Sequence, residues 1–403
     1  MASRLTEVAR VLGAALATLA AALGVALSTL AAAQPKPLVV GAVISQSGMH
    51  AAAAAEYQNG LTLWRDQVND AGGLLDRAIE LRVLDDGSEA VRAGTAYAEL
   101  IAGGAEVLIG PYGSAATLTA AAEAERARRV MLNAAGPSSQ VHKRSPRYVF
   151  QTSAPYSAYA EGPLALAREL QVDSLFILAR DDAASREMGE AAQAQARALG
   201  MRSVELEIYS GPTVDFLPQL YKAMAIQAQG WLSFGEARDA ADMVKTLKRQ
   251  GYVPKMFYAR SSTDPRFIAL VGQDAEQILG TREYEAGFPT AGNAVFADAY
   301  RAKWGTDPGA MAAAAYAAGT VLAEGVRRAG TTEPQKLRAA LAQLQVQTVL
   351  GGYRVDATGA QAGIKPAVLQ IVKGRALRVW PAAWAGERVL APFVAWGDRE
   401  LLR

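Results

Sequence analysis

Past Gln34 the chain alternates short β-rich runs with segments of helical period, and it does so in two successive series. That order is the signature of parallel sheets covered by helices on both faces. In the first series "LVVGAVI" leads to Tyr57, Leu61, Trp64 and Val68 at helical spacing, then to "IELRVLD", the helical "EAVRAGTAYAELIA", the strand "EVLI", a helix over residues 115–128 and the strand "VML". After Pro155 the second series runs through a helix from about Tyr156, strand "SLFIL", a helix from Ala183, "SVELEIY", a helix from Phe216, "WLSF", a helix with Ala240, Met243, Val244 and Leu247 on one face, and "KMFY". The restart predicts two similar lobes, and 403 residues with 51% apolar content supply enough material for two cores. Beyond "ILGTREYE" come helices over residues 294–304 and 309–330, a hairpin in "LGGYRVDATG", and two strands joined at Lys373 and Gly374. These pieces are too few for a third domain, so the chain is expected to cross back between close, hinged lobes more than once.

Composition removes several classes of function. The chain has no cysteine, which excludes disulfides, thiolate nucleophiles and Cys-based zinc sites together. His50 and His142 are the only histidines and lie far apart in sequence, so a His-rich metal site is not available and no cofactor is expected. The formal charge of +2 is spread along the chain with no basic run to neutralise a phosphate backbone, which speaks against nucleic acid as a partner.

The N-terminus reads as an address. Arg4 and Arg10 precede the uncharged "VLGAALATLAAALGVALSTL", and Ala31, Ala32 and Ala33 before Gln34 fit a small-residue cleavage site. Residues 1–33 are expected to be an export signal cut near Ala33, with the mature chain soluble in the periplasm; an uncleaved anchor is the competing reading, since about 20 apolar residues span a bilayer.

The stretch "EVLIGPYGSAATLTAAAEAE" carries the main functional signal. A parallel strand ending at Gly110 delivers its loop to the carboxyl edge of the sheet, where open α/β folds bind ligands. The helix that follows starts near Ser114 or Ala115, and its first N–H groups have no intrahelical partner and sit at the positive end of the helix dipole. Such a terminus suits a carboxylate without any cationic side chain. The alternative is that Ser114 is a plain N-cap. The loop after "VML", residues 134–139, should lie beside this turn; it is otherwise an ordinary turn built on Gly136 and Pro137.

The segments "NDAGGLLDRAIELRVLDDGSEAVRA", "VISQSGMHAAAAAEYQNG" and "VLIGPYGSAATLTAAAEAERARRVMLNAAGPSS" resemble, in order, characteristic stretches of the leucine/isoleucine/valine-type periplasmic binding proteins of ABC transporters. The likeness continues more weakly to the "LGGYRVDATG" hairpin. The resemblance implies an α/β fold of two similar doubly wound lobes joined by a multi-stranded hinge, residues 36–152 with 284–362 forming one lobe and 153–283 with 363–403 the other. It also implies an ABC permease and ATPase complex as membrane partner, a monomer, and no catalysis.

Carried over by residue, the ligand-carboxylate site of that family falls on Ser114, Ala115 and the loop bearing Ala135 and Ser138, with Tyr112 lining the pocket. The rest of the site departs from the pattern: in the first loop Ala53 stands in place of an aromatic, the two second-lobe tyrosines fall near Ala184 or Ser185 and on Glu236, and the glutamate that meets the ligand's ammonium falls near Ser261, beside Arg260. Either Glu236 replaces the missing acid and the ligand is an amino acid, or Arg260 reads a second carboxylate or polar ring substituent and the ligand is a non-amino organic or aromatic acid. The same module could serve as a ligand sensor. Asp85–Asp86 and Asp181–Asp182 read as turn and cap residues, because no nucleophile accompanies them.

Overall fold

Six consecutive buried residues make Leu38–Val43 (β1) an interior strand, the unbroken apolar run expected where both faces of a sheet are covered. The structure is a computed structural model and describes residues 35–399, so the expected export signal lies outside the described residues. β1 pairs in parallel with Ile79–Leu84 (β2) and Val107–Ile109 (β3), and the sheet continues through Met131–Asn133 (β4) to Val149–Gln151 (β5), in the order β2-β1-β3-β4-β5. Helices Ala51–Asp70 (α1), Ala90–Ala102 (α2) and Ser114–Ala127 (α3) follow the first three strands.

The second sheet is built the same way. Ser174–Arg180 (β6), Ser203–Tyr209 (β7), Gly230–Phe234 (β8), Met256–Ala259 (β9) and Leu279–Arg282 (β10) run parallel, with helices Glu161–Glu169 (α4), Ala183–Ala198 (α5), Leu217–Ala225 (α6), Ala237–Arg249 (α7) and Pro265–Val271 (α8) around them. The chain then returns to the first lobe as Asn293–Trp304 (α9), Ala310–Ala329 (α10) and Pro334–Ala342 (α11). Val346–Thr348 (β11) pairs with Gly351–Tyr353 (β12), and Ala367–Val372 (β13) and Arg375–Trp380 (β14) extend the second sheet antiparallel, in the order β14-β13-β10-β9-β8-β6-β7.

Helix α10 lies along α1 because both carry notches. A Cβ on Gly60 would fall 2.1 Å from the Ala312 carbonyl oxygen, and one on Gly319 would fall 2.3 Å from the Trp64 ring. The close approach buries Trp64, Leu61, Val321 and Leu322 in one core, each worth about 1.5–3 kcal/mol.

The structure differs from the sequence reading in several elements. β5 and β10 are not marked by periodicity, since strands of three or four residues show no repeat and β10 carries Gly280, Thr281 and Arg282; the helices α8 and α11, of seven and nine residues, are not marked either. The helix expected from Tyr156 opens as a 3-10 segment, Tyr156–Ala160, before α4. The hairpin begins earlier than "LGGYRVDATG": Thr348 faces Gly351, and a separate turn held by the Asp356 carboxylate follows. Among the described residues no helix is long and apolar enough to cross a membrane.

Candidate functional site

The turn after β3 is positioned by two buried tyrosines. The Tyr57 hydroxyl donates to the Gly110 carbonyl at 2.6 Å and the Tyr97 hydroxyl donates to the Ile109 carbonyl, so the last peptides of the strand are held from α1 and α2. Burial pushes both phenols above their ordinary range, which keeps them protonated donors. Gly113 then takes φ 86°, a left-handed value that glycine adopts without penalty, and acts as the cap of α3 with no side chain over the helix end. Ser114 is therefore the first helical residue and not the cap.

The loop after β4 lies against this turn. Gly110 N–H donates to the Leu132 carbonyl at 2.8 Å, Gly113 N–H donates to the Ala135 carbonyl at 3.0 Å, and Tyr112 and Ala135 form an isolated parallel bridge. The Ser114 hydroxyl accepts the Ser138 N–H at 3.2 Å, tying the two loops together.

Opposite them, the ends of β9 and β10 bring two charges face to face. Arg260 Nη2 lies 3.4 Å from Glu283 Oε1, which also accepts the Tyr159 hydroxyl at 2.5 Å. The Arg260 guanidinium stands 5.5 Å from the Tyr159 ring centroid. Burial alone would lower its pKa, but Tyr159 and Glu283 beside it outweigh burial and hold it above its usual value. Burial likewise raises Tyr159 and Tyr156.

Between these walls lies an inner cavity of about 340 Å³. Tyr112, Gly113, Ala135 and Pro137 line it from the first lobe and Tyr159 and Arg260 from the second. Segments where the chain passes between the sheets add Ser153, Tyr156, Glu283 and Ile364, and the start of α10 adds Met311 and Ala314. His50 packs edge-on to Tyr112, with ring centroids 5.1 Å apart. An outer cavity of about 1010 Å³ shares Arg260, Glu283 and Ala310 with the inner one and is lined by Glu56, Glu236, Ser261 and Arg266 among others. Among the described residues no group of three or more His, Asp or Glu side chains is placed to hold a metal ion. The site therefore offers a mixed-charge wall and an apolar end, with the start of α3 beside it at Gly113.

The periplasmic binding protein family model matches residues 37–376. The chain belongs to this family. The leucine-, isoleucine-, valine-, threonine-, and alanine-binding protein of Pseudomonas aeruginosa is 22% identical over 302 residues, covering 73% of this chain and 79% of that protein. An ABC transporter substrate-binding protein from Desulfitobacterium hafniense, solved in complex with Leu, is 22% identical with a TM-score of 0.69, covering 85% of this chain and 100% of that one. A solute binding protein from R. palustris, solved in complex with benzoate, is 19% identical with a TM-score of 0.64, covering 91% of this chain and 99% of that one.

In this periplasmic binding protein the residues singled out from sequence divide into three groups. Tyr112, Ala135 and Arg260 meet at the inner cavity. Glu236 and Ser261 line only the outer one: Glu236 is the N-cap residue of α7, with its side chain 72% exposed and 3.5 Å from Arg180, while the Ser261 hydroxyl donates to the Gly235 carbonyl at 2.5 Å. Ser114, Ala115, Ser138 and Ser185 line neither cavity. Ser114 and Ser138 bond to each other through hydroxyl and amide, Ala115 is exposed, and Ser185 is turned away because its N–H and hydroxyl both bond to Asp182, the cap of α5.

Glu283, Tyr156, Tyr159 and His50 line the cavity without having been singled out in the sequence. The available signal was positional: "REYE" follows directly on a strand end where the chain changes lobe.

Proposed function

We propose that the chain is an extracytoplasmic solute-binding protein that closes its lobes over one small α-amino acid with an apolar side chain and delivers it to an ABC importer. The observation that carries this reading is the pairing of Arg260 with Glu283 on the wall of the inner cavity. A zwitterion carries one charge for each, and its ammonium gains a charge-assisted bond to Glu283. A lone organic acid would meet Arg260 but also the repulsion of Glu283 beside it. Gly113, the cap of α3, lines the cavity, so the positive end of that helix dipole lies beside the acid end. Met311, Leu350 and Ile364 provide the apolar end.

The relatives support the same class, since they include proteins named for leucine, isoleucine and valine. Closure works by population: a ligand that contacts both lobes favours the state in which both half-sites meet it. In this reading the lobes comprise residues 36–152 with 284–362 and 153–283 with 363–403, residues 1–33 are removed, and the mature N-terminus is Gln34. The protein binds and does not catalyse.

Isothermal titration of the exported protein with L-leucine, L-isoleucine, L-valine and benzoate tests the reading. Saturable binding of at least one branched-chain amino acid with no heat from benzoate is expected. Benzoate binding with the amino acids silent would replace it by the aromatic-acid reading.

A further inference from the structure

We propose that Glu187 is a positioning residue for ligand binding, a resident carboxylate that draws the two lobes together before any ligand arrives. It projects from α5 of the second lobe, and each of its oxygens takes one donor from the first lobe. Ser138 Oγ donates to Oε2 at 2.7 Å, and Ser139 N–H donates to Oε1 at 2.7 Å. Charge-assisted bonds of this length are the strong kind, and two to one carboxylate fix its orientation as well as its position.

The gripped loop is itself held. Ser138 N–H donates to the Ser114 hydroxyl on α3, and the Pro137 carbonyl accepts Tyr156 N–H at 3.0 Å from the segment that leads into the second lobe. The contact is thus continuous from α5 through the loop into α3. Pro137 and Ala135 line the inner cavity whereas Ser138 and Ser139 do not, so Glu187 closes the flank of the cavity and leaves its interior to the ligand. The donors to which the sequence resemblance assigned a ligand's carboxylate at Ser138 are occupied by the protein's own. The charged ends of the ligand are left to Arg260, Glu283 and the α3 terminus. The inference about closure stands apart from the amino-acid reading, because its test uses no ligand.

The absence of cysteine makes the test direct. Thr95→Cys on α2 and Ala194→Cys on α5, both at exposed positions, introduce the only two thiols for spin labels. Pulsed electron paramagnetic resonance on the ligand-free chain is expected to show a population at short separation. Glu187→Ala should shift the closed-to-open ratio about tenfold or more toward open. Ser138→Ala should produce part of that shift, and the combined variant should be no more open than Glu187→Ala. Glu187→Gln keeps the side-chain volume and should fall between parent and Glu187→Ala, which separates the lost charge from any loss of folding. Distance distributions in Glu187→Ala and Glu187→Gln that match the parent, or a parent with no short-distance population, would overturn the proposal.

Discussion

Glu283 and Arg260 stand 3.4 Å apart at the junction of the inner and outer cavities, on consecutive neighbouring strand ends of the second sheet. If the ligand's ammonium docks on Glu283, then Glu283→Gln removes the charge while keeping the shape. A hydrogen bond to a charged group is worth about 1.5–3 kcal/mol, so L-leucine affinity should fall about tenfold or more. Titration calorimetry checks this, and an unchanged dissociation constant would remove Glu283 from the ammonium site.

Asp239 holds the entrance to α7. Only slightly exposed at 3%, its carboxylate accepts the Tyr209 hydroxyl at 2.9 Å and Glu236 N–H at 3.1 Å, and it lies 3.3 Å from Arg180. Asp239→Ala strands several of these groups at once and should lower unfolding free energy by about 3–5 kcal/mol in denaturant titration. A loss below about 1 kcal/mol would mean that the network relaxes around the gap.

Gly60 tests the packing that returns the chain to the first lobe. A methyl group there meets the backbone oxygen of Ala312 at 2.1 Å, and a main-chain atom cannot swing aside as a flexible side chain would. Gly60→Ala is expected to cost about 1–3 kcal/mol and to lower the thermal midpoint, although alanine is the better helix former. A stabilised variant would show that the α1–α10 contact is looser than described.

His142 should make stability depend on pH. Burial lowers its pKa below the ordinary 6.5, against smaller opposing effects of the Thr358 carbonyl and Asp356. Its Nδ1 lies 3.0 Å from the Thr358 carbonyl oxygen, while Nε2 is buried without a partner. Because the folded state resists protonation, the unfolded chain binds more protons as pH drops through 6.5, and stability falls from there until the folded pKa is passed. Thermal midpoints of the parent minus those of His142→Gln should decline as pH is lowered below 6.5. A flat difference would contradict the assignment.

Much of the fold was legible because the alternation of apolar runs with helical-period segments reports a parallel sheet directly, as at Leu38–Val43 and Ser174–Arg180. The turn from Gly110 into α3 was legible too, since a strand that stops at a glycine before a helix-period segment marks a loop at the sheet edge. What pattern does not encode is which charged side chain turns inward. Glu236 and Arg260 both follow strand ends, yet the first is spent on the N-terminus of α7 and on Arg180 while the second faces Glu283. Glu283 itself follows a four-residue strand with almost no apolar signal, and Glu187 looks like any solvated helix charge until the lobes meet. Contacts made between lobes depend on how the hinge closes, and no local spacing records that.

The most direct measurement is a crystal structure of the protein with L-leucine bound. The account predicts the amino acid in the cavity between Tyr112 and Arg260, its ammonium within hydrogen-bond reach of the Glu283 carboxylate and its acid group beside Arg260 and the start of α3. Leucine bound elsewhere, or lying in that cavity with its ammonium turned away from Glu283, would contradict it.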